Sequence, residues 1–277
     1  MTERRIFRRI RGMDTADGAG VKLKRVIGQS ALDMLDPFLL LDEFRSDQAC
    51  DYIAGFPEHP HRGFETVTYM LAGHMQHGDN QGNRGDLGPG SVQWMTAGRG
   101  ILHSEMPQQE NGLMWGFQLW VNLPAKDKMT APRYQDIAPE RIPVVQPAPG
   151  VEVRVVAGKL GGATGPVSGV ATAPIYLDVG VQPGAAITVP LPEGHSAFAY
   201  VFEGASAQVA GESLARSELA VLTRGEAVTI AGGDTAARVL LVAGQPLKEP
   251  VARYGPFVMN TPEQIHEAIA DFRAGKF

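Results

Sequence analysis

The sequence is poor in cysteine, in long apolar runs and in excess basic charge, and each shortage excludes a class of protein. Cys50 is the single cysteine, so no internal disulfide can form and a reducing compartment is expected. No segment approaches the ~18 apolar residues of a membrane span, and residues 1–20 lack the apolar core of a signal peptide. With 25 basic against 30 acidic residues, a general nucleic-acid binder is excluded. We therefore expect a soluble cytoplasmic protein with no membrane contact and no direct nucleic-acid partner.

Glycine and proline are abundant instead, and they separate short β-prone runs. The chain has 33 glycines and 20 prolines, well above the usual combined share of ~12%. They fall between runs rich in valine, isoleucine and threonine, such as residues 64–71 and 175–181, which is typical of many strands joined by many turns. A helical bundle is excluded, and an all-β fold is predicted.

The length of 277 residues favours two domains, since a domain usually holds ~100–200 residues. A polar, proline-bearing stretch at residues 132–149 is the best candidate linker, and it sets the domains at 1–135 and 136–277. The two halves resemble each other, because the run 69–73 aligns with 200–204 and the run from Ser91 aligns with that from Ser217. We therefore predict two antiparallel β-barrels in tandem.

The two ends of the chain carry different signals. The N-terminus holds a basic cluster that we interpret as a solvated edge strand whose charge prevents aggregation, namely Arg4, Arg5, Arg8, Arg9 and Arg11. Near the other end, Thr261 is a candidate N-cap, with Pro262 at the first helical position and Gln264 completing a capping box. This pattern predicts a C-terminal α-helix.

Two short patterns in the first half are typical of a metal site. His59 and His61 are separated by one residue, and so are His103 and Glu105. On an extended strand, residues i and i+2 point to one face, so each pair can converge on one ion, and antiparallel strands can place the pairs opposite each other. Three imidazoles and a carboxylate suit Fe, Mn, Co, Ni, Cu or Zn and leave coordination positions open. The alternative is that these are four ordinary polar residues on loops.

Other residues are weaker candidates for the site. Glu65 has a spacing from His61 that also occurs in metal-binding cupins. On a straight strand it lies about 13 Å from His61, so we interpret it as a residue that orients an imidazole from outside the ligand set. His74 and His77 fall in the polar loop 73–90, where His77 can line the mouth of a cavity. In the second half the four ligand positions are occupied by Pro190, Pro192, Thr229 and Ala231. One metal per chain, in the N-terminal barrel, is therefore expected.

Two segments closely resemble the signature segments of the pirin family. They are residues 56–69, FPEHPHRGFETVTY, and residues 93–107, QWMTAGRGILHSEMP; the runs 39–44 and 255–261 also fit the family. The resemblance implies a bicupin with one metal, usually iron, held in the N-terminal barrel by His59, His61, His103 and Glu105. Several members of the family are similar to quercetin 2,3-dioxygenases, so the resemblance implies that activity. The alternative that it implies is the redox-dependent co-regulation of transcription typical of eukaryotic pirins.

The resemblance implies two main functions; other cupin chemistry, such as isomerisation, and a metal site without turnover are the remaining alternatives. The first is a dioxygenase that cleaves the heterocycle of flavonols such as quercetin with O₂ and releases CO; the expected metal is Fe(II), and Glu105 is the expected base for the 3-hydroxyl proton of the substrate. The pocket wall is expected to include Phe64, Trp94, Met95 and His77. The second is a metal-switched regulatory protein that docks on another protein, supported by the basic N-terminus and an exposed Arg62 beside the ligands.

Overall fold

The computed structural model describes all 277 residues, and most of them lie in β-strands. The strands before residue 138 are β1 (Ile6–Arg11), β2 (Met13–Asp17), β3 (Val21–Ile27), β4 (Phe38–Ser46), β5 (Phe56–His61), β6 (Phe64–Ala72), β7 (Met75–Asp79), β8 (Arg84–Leu87), β9 (Val92–Thr96), β10 (Ile101–Pro107), β11 (Met114–Asn122) and β12 (Arg133–Ile137). The later strands are β13 (Val144–Ala148), β14 (Val151–Ala157), β15 (Lys159–Leu160), β16 (Ala163–Thr164), β17 (Ile175–Val181), β18 (Ala186–Pro190), β19 (Ser196–Glu203), β20 (Ser206–Val209), β21 (Glu212–Ala215), β22 (Glu218–Leu222), β23 (Ala227–Gly232), β24 (Ala237–Gly244), β25 (Ala252–Tyr254) and β26 (Phe257–Met259). One α-helix, α1 (Pro262–Arg273), and three short 3₁₀ helices, Ala49–Asp51, Ala125–Asp127 and Pro139–Arg141, complete the secondary structure.

The chain divides into two compact units, and each is assembled from three segments. The first unit comprises Met13–Gln29, Phe38–Pro139 and Leu247–Phe277, and the second comprises Met1–Gly12, Ser30–Pro37 and Glu140–Pro246. Strand β1 therefore belongs with the second half of the chain, while β25, β26 and α1 belong with the first half. The predicted domains, 1–135 and 136–277, assign both terminal segments to the other unit. Composition along the chain does not reveal which distant strand a terminal segment will pair with.

Each unit pairs a seven-stranded antiparallel sheet with a four-stranded one. In the first unit the strand orders are β12-β9-β6-β11-β4-β3-β2 and β5-β10-β7-β8. In the second unit they are β1-β22-β19-β24-β17-β14-β13 and β18-β23-β20-β21. The orders correspond strand for strand, which confirms the prediction of two cupin-like domains. The sheets do not close into the continuous barrels that the sequence suggested.

The central strands of both large sheets are apolar and buried. Residues 197–202 of β19 and residues 38–44 of β4 are buried without interruption, as expected of strands covered on both faces. The core of the second unit includes Leu177, Val179 and Leu241, none of which has exposed side-chain surface. Burial of this apolar surface stabilises each unit by roughly 25 cal/mol per Å² removed from water.

The chain passes from one unit to the other at Pro139/Glu140, inside the predicted linker 132–149, but both ends of that stretch form edge strands. Strand β12 pairs with β9 at one edge of the first unit's large sheet, and β13 pairs with β14 at one edge of the second unit's. Proline lacks a backbone N–H and is tolerated on an edge strand, as Pro147 is in β13. The proline content that suggested a linker therefore reflects the edges of two sheets.

The N-terminal segment is confirmed as an edge strand, because β1 pairs with β22 at one edge of the second unit's large sheet. Arg4 departs from the expected solvated cluster, since only 1% of its surface is exposed. Its guanidinium donates to the backbone carbonyls of Pro192, His195, Thr223 and Gly225 at 2.6–3.2 Å. Arg4 thus fixes the start of the chain to two turns of the second unit, the one between β18 and β19 and the one between β22 and β23.

Helix α1 begins as predicted. The Thr261 side chain accepts from the Gln264 backbone N–H, and the Gln264 side chain accepts from the Thr261 backbone N–H, which completes the capping box. Pro262 occupies the first helical position, where the missing N–H costs nothing. The helix packs through Ile265 and Ala268 against β26. No helix in the structure has the length and the apolar character that a membrane crossing requires.

We expect Arg4→Met to lower the free energy of unfolding by about 2–4 kcal/mol, because it leaves several buried carbonyls without a charged donor. The change is measured by urea denaturation followed by circular dichroism. Arg8→Met is the matched control, since Arg8 is an exposed arginine of β1, four residues further along, and its effect should stay within about 0.5 kcal/mol. Equal effects of the two substitutions would contradict an anchoring role for Arg4.

Candidate metal centre

The histidines that the spacing singled out come together because β5 and β10 are neighbours. The antiparallel ladder places His103 directly opposite His59 and Ile101 opposite His61. Residues 59 and 61 share one face of β5, so their rings meet the ring of His103 there. The three ring centroids are 4.5–5.0 Å apart, and the three candidate ligand nitrogens all lie within 4.8 Å of one another. The structure thus confirms that three of the four predicted ligands form a cluster.

The nitrogens of the cluster fit a metal ion. Nδ1 of His59 donates to the carbonyl of Pro57 over 2.8 Å, which leaves a lone pair on Nε2, and this Nε2 lies 3.0 Å from Nε2 of His61. Both ring nitrogens of His103 are buried without a hydrogen-bond partner. Burial, and next the neighbouring imidazoles, lower the pKa values of His61 and His103 well below the usual histidine range. Neutral imidazoles with converging lone pairs are what Fe, Ni, Cu, Zn and similar cations bind.

Glu105 lies beside this cluster and is not part of the 4.8 Å group. The ladder between β5 and β10 is irregular between His103 and Glu105, so the i, i+2 rule for a regular strand does not fix the direction of the carboxyl group. The carboxyl is buried. It accepts from the Thr68 hydroxyl over 2.9 Å and from the Gln118 amide over 3.3 Å. Its role as a fourth ligand stays a prediction.

The corresponding ladder of the second unit carries hydroxyls in place of imidazoles. There Thr188 pairs with Thr229, and their hydroxyl oxygens are 2.9 Å apart. The counterpart of His59 is therefore Thr188, two residues before the Pro190 that the sequence alignment gave, and Pro190 corresponds to His61. The sequence alignment is shifted here because the connection between β18 and β19 is longer than that between β5 and β6.

A cavity of about 600 Å³ opens beside the cluster, and His59, His61 and Glu105 line it. Its apolar wall consists of Leu23, Leu40, Phe44, Phe56 and Trp120. Asp42 contributes a carboxyl to the same wall; burial raises its pKa to about 6, against the opposing effect of Arg25. The cavity therefore combines apolar walls, a few polar groups and two of the three imidazoles, those of His59 and His61.

None of the four pocket residues expected from the sequence lines this cavity. Phe64 lies behind it, 4.4 Å from the ring of Trp120 and 5.0 Å from that of His61. Trp94 and Met95 are buried in β9, and His77 stacks on Tyr134 with Asp136 3.5 Å away. Trp120 is the aromatic residue that the prediction missed. The alternation of residues 116–123 places Gln118 and Trp120 on one face and could have indicated it.

Glu65 also differs from the expectation, because its hydrogen-bond partner is the Thr96 hydroxyl, 2.7 Å away, and not an imidazole. Glu65 and Phe64 point to opposite faces of β6, and it is Phe64 whose ring meets His61. Burial raises the pKa of the Glu65 carboxyl. Glu65 is thus a buried core carboxyl on the face away from the cluster.

The turn between β5 and β6 is held from several sides. Gly63 has φ +90°, and a Cβ there would lie 1.9 Å from the carbonyl oxygen of Val258. Lys128, almost fully buried, donates to the carbonyls of Gly63 and Val258 and to the Asn122 side chain at 2.7–3.0 Å. Burial lowers the Lys128 pKa to about 8. The buried Lys128 ammonium group, bonded to three neutral oxygens, therefore fixes the turn that follows β5, the strand of His59 and His61.

Arg62, which we expected to be exposed, is 3% exposed. Its guanidinium pairs with Asp271 of α1 over 3.0 Å and lies 4.4 Å from the centre of the Phe277 ring. The polar residues and the glycine around Arg62 suggest an exposed side chain. The segment that covers it lies about 200 residues further along the chain, so the local sequence does not reveal its burial. Arg62 therefore anchors the C-terminal segment and offers no free charge beside the cluster.

We expect His61→Ala to leave the fold intact and to lower bound metal at least about tenfold. Loss of a residue that only orients a metal ligand already weakens metal binding by about 10–100-fold, and loss of a ligand itself should weaken it at least as much. Metal per chain is measured by elemental analysis after purification without chelators, and the fold by circular dichroism. His266→Ala, which removes an exposed imidazole from α1, should keep full metal content. Unchanged metal content in His61→Ala would show that the cluster is not the site.

Comparisons with known proteins agree with this geometry. The sequence model of Pirin matches residues 20–121, and that of the Pirin C-terminal cupin domain matches residues 176–277. A pirin-like protein of Caulobacter vibrioides is 48% identical over 278 residues, covering 100% of both chains, and the pirin of Homo sapiens is 44% identical over 269 residues, covering 95% of this chain and 90% of that one. The crystal structure of a quercetin 2,3-dioxygenase from Acinetobacter baumannii matches with a TM-score of 0.91 and 35% identity, covering 99% of this chain and 98% of the other. The chain belongs to the pirin family.

Proposed function

We propose that this protein is a metal-dependent dioxygenase that cleaves the heterocycle of flavonols such as quercetin with O₂ and releases CO. The observation that carries the proposal is the cavity of about 600 Å³ on which His59, His61 and Glu105 open together. The similarity to the Acinetobacter baumannii quercetin 2,3-dioxygenase, at 35% identity over nearly the whole chain, supports the same reaction class. The exposed free thiol of Cys50 supports a cytoplasmic location.

The cavity suits a flat aromatic substrate. Its volume falls within the ~300–1,000 Å³ usual for small-molecule sites. The apolar wall removes water from the bound rings, and the Trp120 side chain offers an aromatic surface next to His61, whose ring centre is 5.2 Å away. A flavonol bound against this wall would have its rings buried and its oxygen atoms near the three imidazoles.

The proposed cofactor is one Fe(II) ion held by His59, His61 and His103, with Glu105 as the fourth ligand. When bound, the metal supplies Lewis acidity, which lowers the pKa of a coordinated hydroxyl group, and a one-electron redox couple. Glu105 is the proposed base for the 3-hydroxyl proton of the flavonol. Hydrogen bonds from Thr68 and Gln118 hold its carboxyl at the cavity wall, within reach of a ligand there. Removal of the proton leaves the electron-rich anion that reacts with O₂.

The second candidate is a metal-switched binding protein, and it is less well supported. Arg62 is buried against the C-terminal segment, so it is not a docking group beside the metal. The exposed N-terminal arginines lie in the second unit, which has no histidine cluster. These arginines and the histidine cluster therefore belong to different units.

Metal content and O₂ uptake on quercetin, measured on the same Fe(II)-loaded sample, test the proposed function. About one metal per chain, with O₂ consumption matched by CO release, is the expected result. One metal per chain without uptake would contradict the dioxygenase and favour the binding protein. Absence of bound metal after loading would contradict both.

We expect Glu105→Gln to lower kcat at least about a hundredfold while most of the metal remains bound, because positioned bases contribute ~10²–10⁴-fold. The measurements are O₂ uptake and elemental analysis. Glu65→Gln is the matched control, since Glu65 is also a buried carboxyl bonded to a threonine hydroxyl but lies away from the cavity. Equal losses of metal and turnover in Glu105→Gln would show that the carboxylate acts only as a ligand.

A further inference from the structure

A row of polar side chains crosses the large sheet of the first unit at the cavity. In the strand ladders, Arg25 pairs with Asp42, Asp42 with Gln118, and Gln118 with Thr68. Directly paired residues point to the same face of a sheet, and the first three of these line the cavity. Thr68 donates to Glu105. The row therefore extends from the proposed catalytic base to an arginine–aspartate pair three strands away.

Apolar side chains flank this row on both sides. They occupy the positions two residues before or after a member of the row on the same strand, so they share its face: Leu23, Leu40, Phe44 and Trp120. The sheet thus presents a polar line between two apolar surfaces. A flat ring system with oxygen atoms at both ends matches this surface, since its rings cover the apolar parts and its oxygens meet the polar line.

Arg25 and Asp42, at the far end of the row, hold each other in place, and the Asp42 carboxylate can still accept a further hydrogen bond. The Arg25 guanidinium donates to both oxygens of Asp42, at 2.9 and 2.7 Å, and to Asp17 at 2.7 Å. Two donated bonds use half of the lone-pair positions of a carboxylate, so Asp42 can accept a further O–H. Its charge is compensated by Arg25, and its side chain is 6% exposed. A neutral hydroxyl donor therefore suits Asp42 better than an additional ion.

On the basis of the proposed function, we propose that the Arg25–Asp42 pair determines substrate specificity by accepting a phenolic hydroxyl on the ring farthest from the metal. The bound flavonol lies along the polar row, with its 3-oxygen toward Glu105 and its pendant-ring hydroxyl donating to Asp42. A flavonol without that hydroxyl covers the Asp42 carboxylate with an apolar ring edge. It then displaces water from the carboxylate without replacing the lost hydrogen bond. Sites built to bond a hydroxyl reject analogues that lack it, because their buried polar group is left unpaired.

The test compares two flavonols that differ only in the pendant ring: quercetin, with two hydroxyls there, and galangin, with none. Binding to metal-loaded protein is measured by tryptophan fluorescence quenching and turnover by O₂ uptake. We expect the wild type to bind quercetin at least about tenfold more tightly than galangin, the size of one hydrogen bond to a charged group. Asp42→Asn should remove most of this preference by weakening quercetin alone. Asp178→Asn is the matched control, because Asp178 forms a buried pair with Arg238 in the second unit.

A preference that persists in Asp42→Asn, or equal weakening of both flavonols, overturns the specificity role and leaves the dioxygenase standing. Preferred binding of quercetin without turnover keeps the specificity role and contradicts the dioxygenase. Binding of neither flavonol by the wild type overturns both. If Asp42→Asn does not fold, Arg25→Lys replaces it, since lysine keeps the charge but loses the two-point contact; it should reduce the quercetin preference severalfold.

Discussion

Three imidazoles, those of His61 and His103 buried and that of His59 partly exposed, have their nitrogens within 4.8 Å of one another, and the site depends on that crowding. Lone pairs aimed at the same point repel, and burial prevents the rings of His61 and His103 from escaping this repulsion by taking up protons. The arrangement is favourable once a cation occupies the centre. The carbonyl of Pro57, the ring of Phe64 and the fixed turn at Gly63 hold the rings in place beforehand.

The comparison between the two units shows how little of the fold is needed to make the site. Both have the same order of strands, and the same rung of the small sheet carries His59 and His103 in one unit and Thr188 and Thr229 in the other. The backbone at that rung is satisfied either way, because ladder hydrogen bonds do not depend on the side chains. The candidate metal site therefore depends on a few side chains, placed on a scaffold that the second unit forms without them.

The sequence was informative wherever the relevant contact is local. The i, i+2 histidines, the capping box at Thr261 and the turn-rich strands follow from distances of a few residues, and the structure bears them out. It was uninformative wherever a distant strand decides the outcome. The irregular ladder at Glu105, the choice of Trp120 over Trp94 as the cavity wall, and the burial of Arg4 and Arg62 depend on pairing partners that periodicity does not identify.

The exchange of terminal segments between the units has a consequence for biosynthesis. During translation, the segment that carries Met1–Gly12 emerges first but finds its partner strand, β22, only after about 200 more residues. The histidine-bearing strands emerge early, yet the residues that secure their turn, Val258 and Asp271, come near the end. Neither unit can be completed on the ribosome while the chain is half made. Completion of both units thus waits for late segments of the chain, and the turn beside the histidine cluster is secured by the last of them.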